Sequence, residues 1–175
     1  YHVENFGCRA SRFDGEAIAA NLRHKGLAPA ETPDSAHVVI VNTCSVTAEA
    51  DRQARAYLRR VRRQNPNARI VVTGCYAQRA PQELAALPEV DAVVGNSHKS
   101  RVAEVALDLT ASPNSRGSFV PLSALAPRVL HDDAFAHFEL ATLPFAPDAH
   151  QTRPNLKVQD GCGNRWFFCI IPTTR

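Results

Sequence analysis

Three of the five cysteines in this chain stand directly after segments that read as β-strands. The stretches ENFGC, VIVNTC and VVTGC end in Cys8, Cys44 and Cys75, which are 36 and 31 residues apart. Each interval is close to one βα unit of roughly 30 residues. Because parallel strands point the same way, we expect the three thiols at one carboxyl edge of a sheet, where open α/β sheets bind ligands.

Three converging thiolates suit two kinds of metal centre. One is an iron–sulfur cluster that lacks one protein ligand, and the other is a zinc site with an open position. A single cysteine is more often a small buried apolar residue, but three at equivalent strand ends favour a shared site. Helices that begin just after Cys44 and Cys75 would stabilise thiolates, and Gly7 and Gly74 would let the backbone approach closely.

The other two cysteines, Cys162 and Cys169, lie in the closing stretch LKVQDGCGNRWFFCIIPTTR and flank Trp166. An indole offers an N–H donor and no lone pair for a metal, so this pair alone is an incomplete ligand set.

No charged stretch followed by an apolar run opens the chain. We therefore expect a cytoplasmic, reducing setting, in which spaced cysteines bind metal or catalyse rather than form disulfides.

The elements that must position these cysteines alternate between strand and helix, which predicts an α/β fold. The parallel sheet is expected to be Rossmann- or flavodoxin-like, with flanking helices and a second strand, Val38–Val41, buried on both faces. Gly26 should end the first helix and Thr47 should cap the second. The predicted strands cover 1–6, 38–41, 70–73 and 92–94, and the predicted helices cover 13–25, 48–64, 81–87 and 99–107.

The predicted domain boundaries follow from the sequence pattern, because the alternation of strand and helix signals ends after residue 110. We predict an α/β domain over 1–110 and an irregular, proline-rich linker over 111–153, with no sustained periodicity. A new domain should start at 154–175, opening with a strand over 156–159. The chain begins with Tyr1 and contains no methionine, and it stops just after an apolar run, so we expect a fragment.

Composition narrows the function class. With 45% hydrophobic and 21% charged residues, the chain can bury a core, and its longest aliphatic run is far too short to span a membrane. We therefore predict no membrane partner. A net charge of +3 permits a nucleic-acid partner without requiring one. The glycines form no phosphate-binding loop of the order G-x-G-x-x-G, so we assign no dinucleotide.

Five motifs together resemble the radical S-adenosylmethionine methylthiotransferases that modify tRNA. CSVT and GCYAQ are most similar to the branch that acts on threonylcarbamoyladenosine beside the anticodon, and the isopentenyladenosine branch is the less similar alternative. The resemblance covers the α/β part almost end to end, plus the C-terminal tail, residues 156–175. The motifs are FGC at 6–8, NTCSVT at 42–47, TGCYAQ at 73–78, VDAVVGN at 90–96 and VQDGCGNR at 158–165.

The resemblance implies a transferase that adds a methylthio group to C2 of the modified adenosine with two 4Fe–4S clusters. An auxiliary 4Fe–4S cluster on Cys8, Cys44 and Cys75 would hold or deliver the sulfur. A second cluster, on a C-x3-C-x2-C loop at the start of a partial (β/α) barrel, would bind S-adenosylmethionine. The implied partners are tRNA, S-adenosylmethionine and an electron donor.

This sequence departs from the family pattern at one ligand position. The loop would use Cys162, residue 166 and Cys169, and residue 166 is tryptophan. Because two thiolates cannot hold a cluster securely, we expect the chain alone to bind only the auxiliary cluster and not to catalyse the full reaction. The alternative is a non-catalytic iron–sulfur or zinc-binding module, or a decayed remnant.

The second predicted helix is rich in arginine. Such a face could contact a tRNA backbone, but a solvated face is the favoured interpretation because the net charge is modest. The arginines are Arg52, Arg55, Arg59, Arg60, Arg62 and Arg63.

Overall fold

A computed structural model of the chain describes residues 1–45, 47–111, 128–132, 159, 161–164 and 166–174. The strands are β1 His2–Asn5, β2 Val38–Thr43, β3 Arg69–Gly74, β4 Ala92–Val94 and β5 Arg128–Leu130. The helices are α1 Arg9–His24, α2 Ala48–Gln64, α3 Cys75–Arg79, α4 Pro81–Ala85, α5 Val102–Ala111 and α6 Ile171–Thr174, with 3₁₀ turns at Pro33–Ser35 and Asn96–Arg101. None of the described helices is long and apolar enough to cross a membrane.

The five strands of the described residues form one parallel sheet in the sequential order β1-β2-β3-β4-β5. The predicted α/β architecture, a parallel sheet with flanking helices, is confirmed. All six residues of β2 are buried, because β2 lies inside the sheet and is covered on both faces. Its continuous apolar run predicted this position.

Alternate strand residues pack against helices on opposite faces of the sheet. On one face, Val39 and Val41 pack with Leu58 and Val61 of α2. On the other, Val38 and Ile40 pack with α1 and α5. Each helix presents the apolar side that its 3.6-residue period predicts: Ile18 and Leu22 for α1, and Ala54, Tyr57, Leu58 and Val61 for α2.

The predicted helix ends are present. Gly26, with φ of +88°, follows the end of α1. Thr47 caps α2, since its Oγ1 accepts a hydrogen bond from the Ala50 amide at 3.1 Å. These local signals set the ends of the two long helices that cover the sheet.

A partly buried ion pair fixes the C-terminal end of α2. Arg62 Nη2 lies 2.7 Å from Asp91 Oδ2, and the same guanidinium donates to the carbonyls of Ala68 and Glu89, both at 2.6 Å. Asp91 also accepts from the Ile70 amide at 2.8 Å. Arg62 therefore holds α2 to the starts of β3 and β4.

Some elements differ from the prediction. β5 lies within the stretch predicted as an irregular linker and was not predicted, because a three-residue edge strand is defined by its pairing with β4 rather than by a period of its own. The five-residue helix α3 was also not predicted. The strand predicted over 156–159 lies outside the described residues except for Gln159, which is in no strand. The three domain boundaries stay predictions.

Candidate metal centre at the carboxyl edge of the sheet

Three neighbouring strands each lead to a cysteine. Cys44 directly follows β2, Cys75 follows β3 and begins α3, and Cys8 comes three residues after β1 as the N-cap of α1. Because β1, β2 and β3 are parallel, the three residues lie at the same carboxyl edge. None of the three forms a disulfide; Cys44 and Cys75 are buried, and Cys8 is exposed.

The ends of β2 and β3 approach each other through a glycine. Gly74 pairs with Thr43 in register and has a φ of +96°. A Cβ on Gly74 would overlap the Thr43 backbone, lying 2.7 Å from its nitrogen. Glycine thus allows the close approach of the two strand ends that lead to Cys44 and Cys75, the next residues along each chain segment.

The loop that carries Cys8 lies against Cys44. Gly7 has a φ of +127°, and a Cβ at this position would lie 2.7 Å from Cys44 Cβ and 3.2 Å from Cys44 Sγ. The Cys8 thiol lies 3.8 Å from Ser11 Oγ in the first turn of α1. Gly7 therefore lies so close to Cys44 that any side chain at position 7 would overlap the Cys44 side chain.

Buried polar side chains gather at this edge. Burying a polar group costs free energy unless it finds a partner, so such a concentration is typical of a functional site. Asn42 shows how they are satisfied: its Nδ2 donates to Asn5 Oδ1 at 3.1 Å and to the Ser11 carbonyl at 2.6 Å. The buried polar residues of the described part are Ser11, Asp14, Asn42, Thr43, Ser45, Asp51, Thr73, Gln78, Lys99 and Thr174.

Arg79 joins α3 to the loop after β2. Its Nε donates to Ser45 Oγ at 2.7 Å, and its Nη2 forms an ion pair with Asp51 Oδ2 at 2.6 Å. The guanidinium also lies over the Tyr76 ring, 5.2 Å from its centroid. Arg79 thereby fixes the neighbours of Cys44 and Cys75 relative to each other. No local sequence pattern predicts this role of Arg79, since its partners are 28 and 34 residues away.

Tyr76, next to Cys75, is fully buried. Its hydroxyl donates to Glu83 Oε1 and accepts from Arg55 Nη1. Burial, assisted by the hydrogen bond to Glu83, raises the pKa of Tyr76 to about 12. The phenol therefore stays neutral and anchors α3 against α2 and α4.

The fourth strand places an amide at the same edge. Asn96 comes two residues after β4, and its Nδ2 lies 3.7 Å from Cys75 Sγ. The same Nδ2 donates to the Thr174 carbonyl in α6. In the sequence, Asn96 is the last residue of VDAVVGN, and its place after a predicted strand is the signal that points to this edge.

The tail returns to this part of the molecule, because α6 packs against α3. Cys162 and Cys169 are half-buried. Trp166, between them, is 61% exposed, and the neighbouring side chains Phe167 and Phe168 are also exposed. The described tail residues therefore present two thiols and an aromatic patch.

The three thiols are the kind of ligand that an iron–sulfur cluster or zinc takes, and they follow neighbouring strands at one edge of the sheet. Within the described residues, however, no three Cys, His, Asp or Glu side chains are grouped closely enough to hold a metal ion. Cys8 is the exposed member of its set. A shared site would need its thiol to turn towards Cys44 and Cys75.

Most of the α2 arginines have partners within the domain. Arg52 pairs with Glu49, and Arg55 pairs with Glu83. Arg62 pairs with Asp91, and Arg60 lies over the Tyr57 ring, 5.1 Å from its centroid. These contacts agree with the interpretation of a solvated, structural face.

Comparison with known proteins identifies the family. Residues 1–95 match the family described as "Uncharacterized protein family UPF0004". The chain belongs to this family. Its relatives include the threonylcarbamoyladenosine tRNA methylthiotransferase of Aquifex aeolicus, with 37% identity over 172 residues, covering 98% of this chain and 39% of the relative.

Two further relatives show the breadth of the family. The threonylcarbamoyladenosine tRNA methylthiotransferase of Bacillus subtilis is 35% identical over 97% of this chain and 35% of its own length. The ribosomal protein uS12 methylthiotransferase of Roseiflexus castenholzii is 35% identical over 98% of this chain and 38% of its own length. The chain thus spans well under half the length of these relatives. The resemblance to methylthiotransferases inferred from the motifs is confirmed.

Proposed function

We propose that this chain is the N-terminal part of a methylthiotransferase that modifies threonylcarbamoyladenosine in tRNA. The observation that carries the proposal is the set of three cysteines following three neighbouring parallel strands. Support for the substrate comes from four relatives named for it, which are 31 to 37% identical. Relatives named for dimethylallyladenosine in tRNA and for ribosomal protein uS12 define the alternatives.

In this proposal Cys8, Cys44 and Cys75 hold an auxiliary 4Fe–4S cluster. When bound, such a cluster supplies an iron without a protein ligand, at which sulfur can be held. The chain's own residues set the geometry: Gly7 and Gly74 permit the close approach, while Arg79 fixes the Ser45 loop to α3. Cys8, on its exposed loop, turns inward to complete the set.

Cys162 and Cys169 would supply two ligands to a second 4Fe–4S cluster. When bound, that cluster would provide the site for S-adenosylmethionine and for an electron from a donor. Trp166 occupies the third ligand position and is exposed. This observation favours a second candidate for the chain by itself, a non-catalytic iron–sulfur or zinc-binding module. tRNA remains the proposed partner of the whole protein, with Arg59 and Arg63 as exposed cations on α2.

Anaerobic reconstitution with iron and sulfide, followed by iron counting and Mössbauer spectroscopy, tests the cluster assignment. We expect about 4 iron atoms per chain, lost in Cys44→Ala and retained in Cys162→Ala, the matched control in the tail. Zinc bound in place of iron would favour the second candidate. Failure to bind metal, or equal binding in Cys44→Ala, would contradict a shared site.

The substrate branch needs a separate measurement. The chain reconstituted with its cluster is titrated with each of three substrates. These are tRNA that carries threonylcarbamoyladenosine, tRNA that carries dimethylallyladenosine, and purified uS12. We expect the first to bind most tightly, and preferential binding of either other substrate would assign the chain to that branch instead.

A further inference from the structure

Asn96 occupies, after β4, the position that cysteines occupy after β1, β2 and β3. The strands are adjacent and parallel, so all four residues lie along one edge of the sheet. Asn96 is therefore the fourth polar residue in a row whose first three members are the proposed cluster ligands.

The side-chain amide of Asn96 has two N–H donors, and both have acceptors. One acceptor is Cys75 Sγ, 3.7 Å from Nδ2, and the other is the backbone carbonyl of Thr174 in α6. Cys75 and Thr174 are both buried. A single amide thus connects a proposed cluster ligand to the segment that follows Cys169.

The backbone around Asn96 is held in place. The next residue, Ser97, donates its amide to Gln78 Oε1 at 3.0 Å, and its Oγ accepts from the Asp132 amide at 3.1 Å. Gln78 in turn donates from Nε2 to the Asp132 carbonyl at 2.8 Å. These bonds tie the turn after β4 to α3 and to the end of β5, so the Asn96 donors are directed before any ligand binds.

We propose that Asn96 is a positioning residue that hydrogen-bonds the Cys75 sulfur and anchors the tail beside it. This inference rests on the proposed function, because it assigns a role towards the cluster on Cys75. Hydrogen bonds to ligating sulfurs help to set cluster potentials. An N–H donor stabilises the more negative, reduced form, and so raises the reduction potential. The same residue makes docking of α6 depend on the arrangement around Cys75.

The test compares Asn96→Asp, which keeps the shape but replaces donors with negative charge, and Asn96→Ala with Asn21→Asp and Asn21→Ala in α1. After reconstitution, cluster retention is measured by iron counting and the potential by redox titration. We expect both Asn96 variants to lower the reduction potential, Asn96→Asp more strongly, and to weaken cluster retention about tenfold. The Asn21 variants should match the unsubstituted chain.

The outcomes separate the two proposals. If the unsubstituted chain binds no cluster, the proposed function and this inference both fail. If it binds one and the Asn96 variants keep its potential, only this inference fails. A purely structural role for Asn96 would lower iron content and thermal stability without moving the potential of the clusters that remain.

The tail contact has its own readout that needs no iron. Trp166 is the only tryptophan in the chain, and it lies in the segment before α6. We expect Asn96→Ala to lower the fluorescence anisotropy of Trp166, since the anchor at Thr174 is lost, while Asn21→Ala leaves it unchanged. Equal anisotropy in Asn96→Ala and the unsubstituted chain would overturn the anchoring role.

Discussion

Gly74 lies so close to Thr43 across the β2–β3 pair that any side chain on Gly74 would overlap the Thr43 backbone. This contact sets the spacing of the two strand ends that lead to Cys44 and Cys75. Gly26, at the end of α1, has a similar φ of +88° but no neighbouring atom within 4 Å of where a Cβ would lie. Comparing substitutions at these two glycines therefore distinguishes the cost of a positive φ from the cost of steric overlap.

Gly74→Ala is expected to cost about 3 kcal/mol in the free energy of unfolding, because strain at positive φ adds to overpacking against Thr43. Gly26→Ala should cost only about 1 kcal/mol, from the backbone conformation alone. Urea unfolding measures both. Equal losses would show that the close approach of β2 and β3 is not maintained in solution.

Arg62→Ala should destabilise the fold by about 3 kcal/mol, because it leaves the buried Asp91 carboxylate without its main cation. The Arg62 and Asp91 side chains are only 14% and 8% exposed. Arg62→Lys should restore little of the lost stability, since one ammonium group cannot reproduce the planar guanidinium that donates to several acceptors. The free energy of unfolding from urea titration is the measurement.

Arg52→Ala is the matched control on the same helix. Its pair with Glu49 is largely exposed, with side chains 74% and 53% accessible, and because solvent screens exposed charges, we expect a much smaller loss of stability than in Arg62→Ala. A loss at Arg52 as large as that at Arg62 would refute the assignment of Arg62 as the clamp of α2.

Alkaline pH should weaken the fold partly through Tyr76. Burial raises its pKa to about 12 from an ordinary value of 10.0, so between these values the unfolded chain releases a proton that the folded chain retains. Stability from the neutral phenol is complete below pH 10 and is lost as pH rises towards 12. In Tyr76→Phe, the free energy of unfolding should fall less steeply with pH over this window. An unchanged slope would contradict the raised pKa.

Trp166→Cys should complete the second ligand set. We expect iron content after reconstitution to rise from about 4 to about 8 atoms per chain, and Trp166→Ala to give no increase. Adding Cys162→Ala to Trp166→Cys should abolish the gain. Iron content that stays at one cluster in Trp166→Cys would show that the tail requires more than a third thiol.

Local patterns predicted much of the sheet and its helices. The apolar run in β2, the spacing of apolar residues in α2 and the Thr47 cap each act within a few residues, so they can be read from the sequence. α3 and β5 were missed because each is short and depends on packing. The role of Arg62 was missed for a related reason: its acceptors come from later strands and turns, and its sequence neighbours are also arginines.

The sequence by itself determined the alternation of strands and helices and the place of Cys8, Cys44 and Cys75 after successive strands, because burial and helix periodicity are local properties. Only the tertiary structure decided that β4 extends the row with Asn96, which meets Cys75 across 21 residues and Thr174 across 78. It also decided that Cys44 and Cys75 are buried, whereas Cys8 lies exposed in this structure. Such contacts depend on which strands become neighbours and how closely their ends approach, and no local pattern encodes that distance.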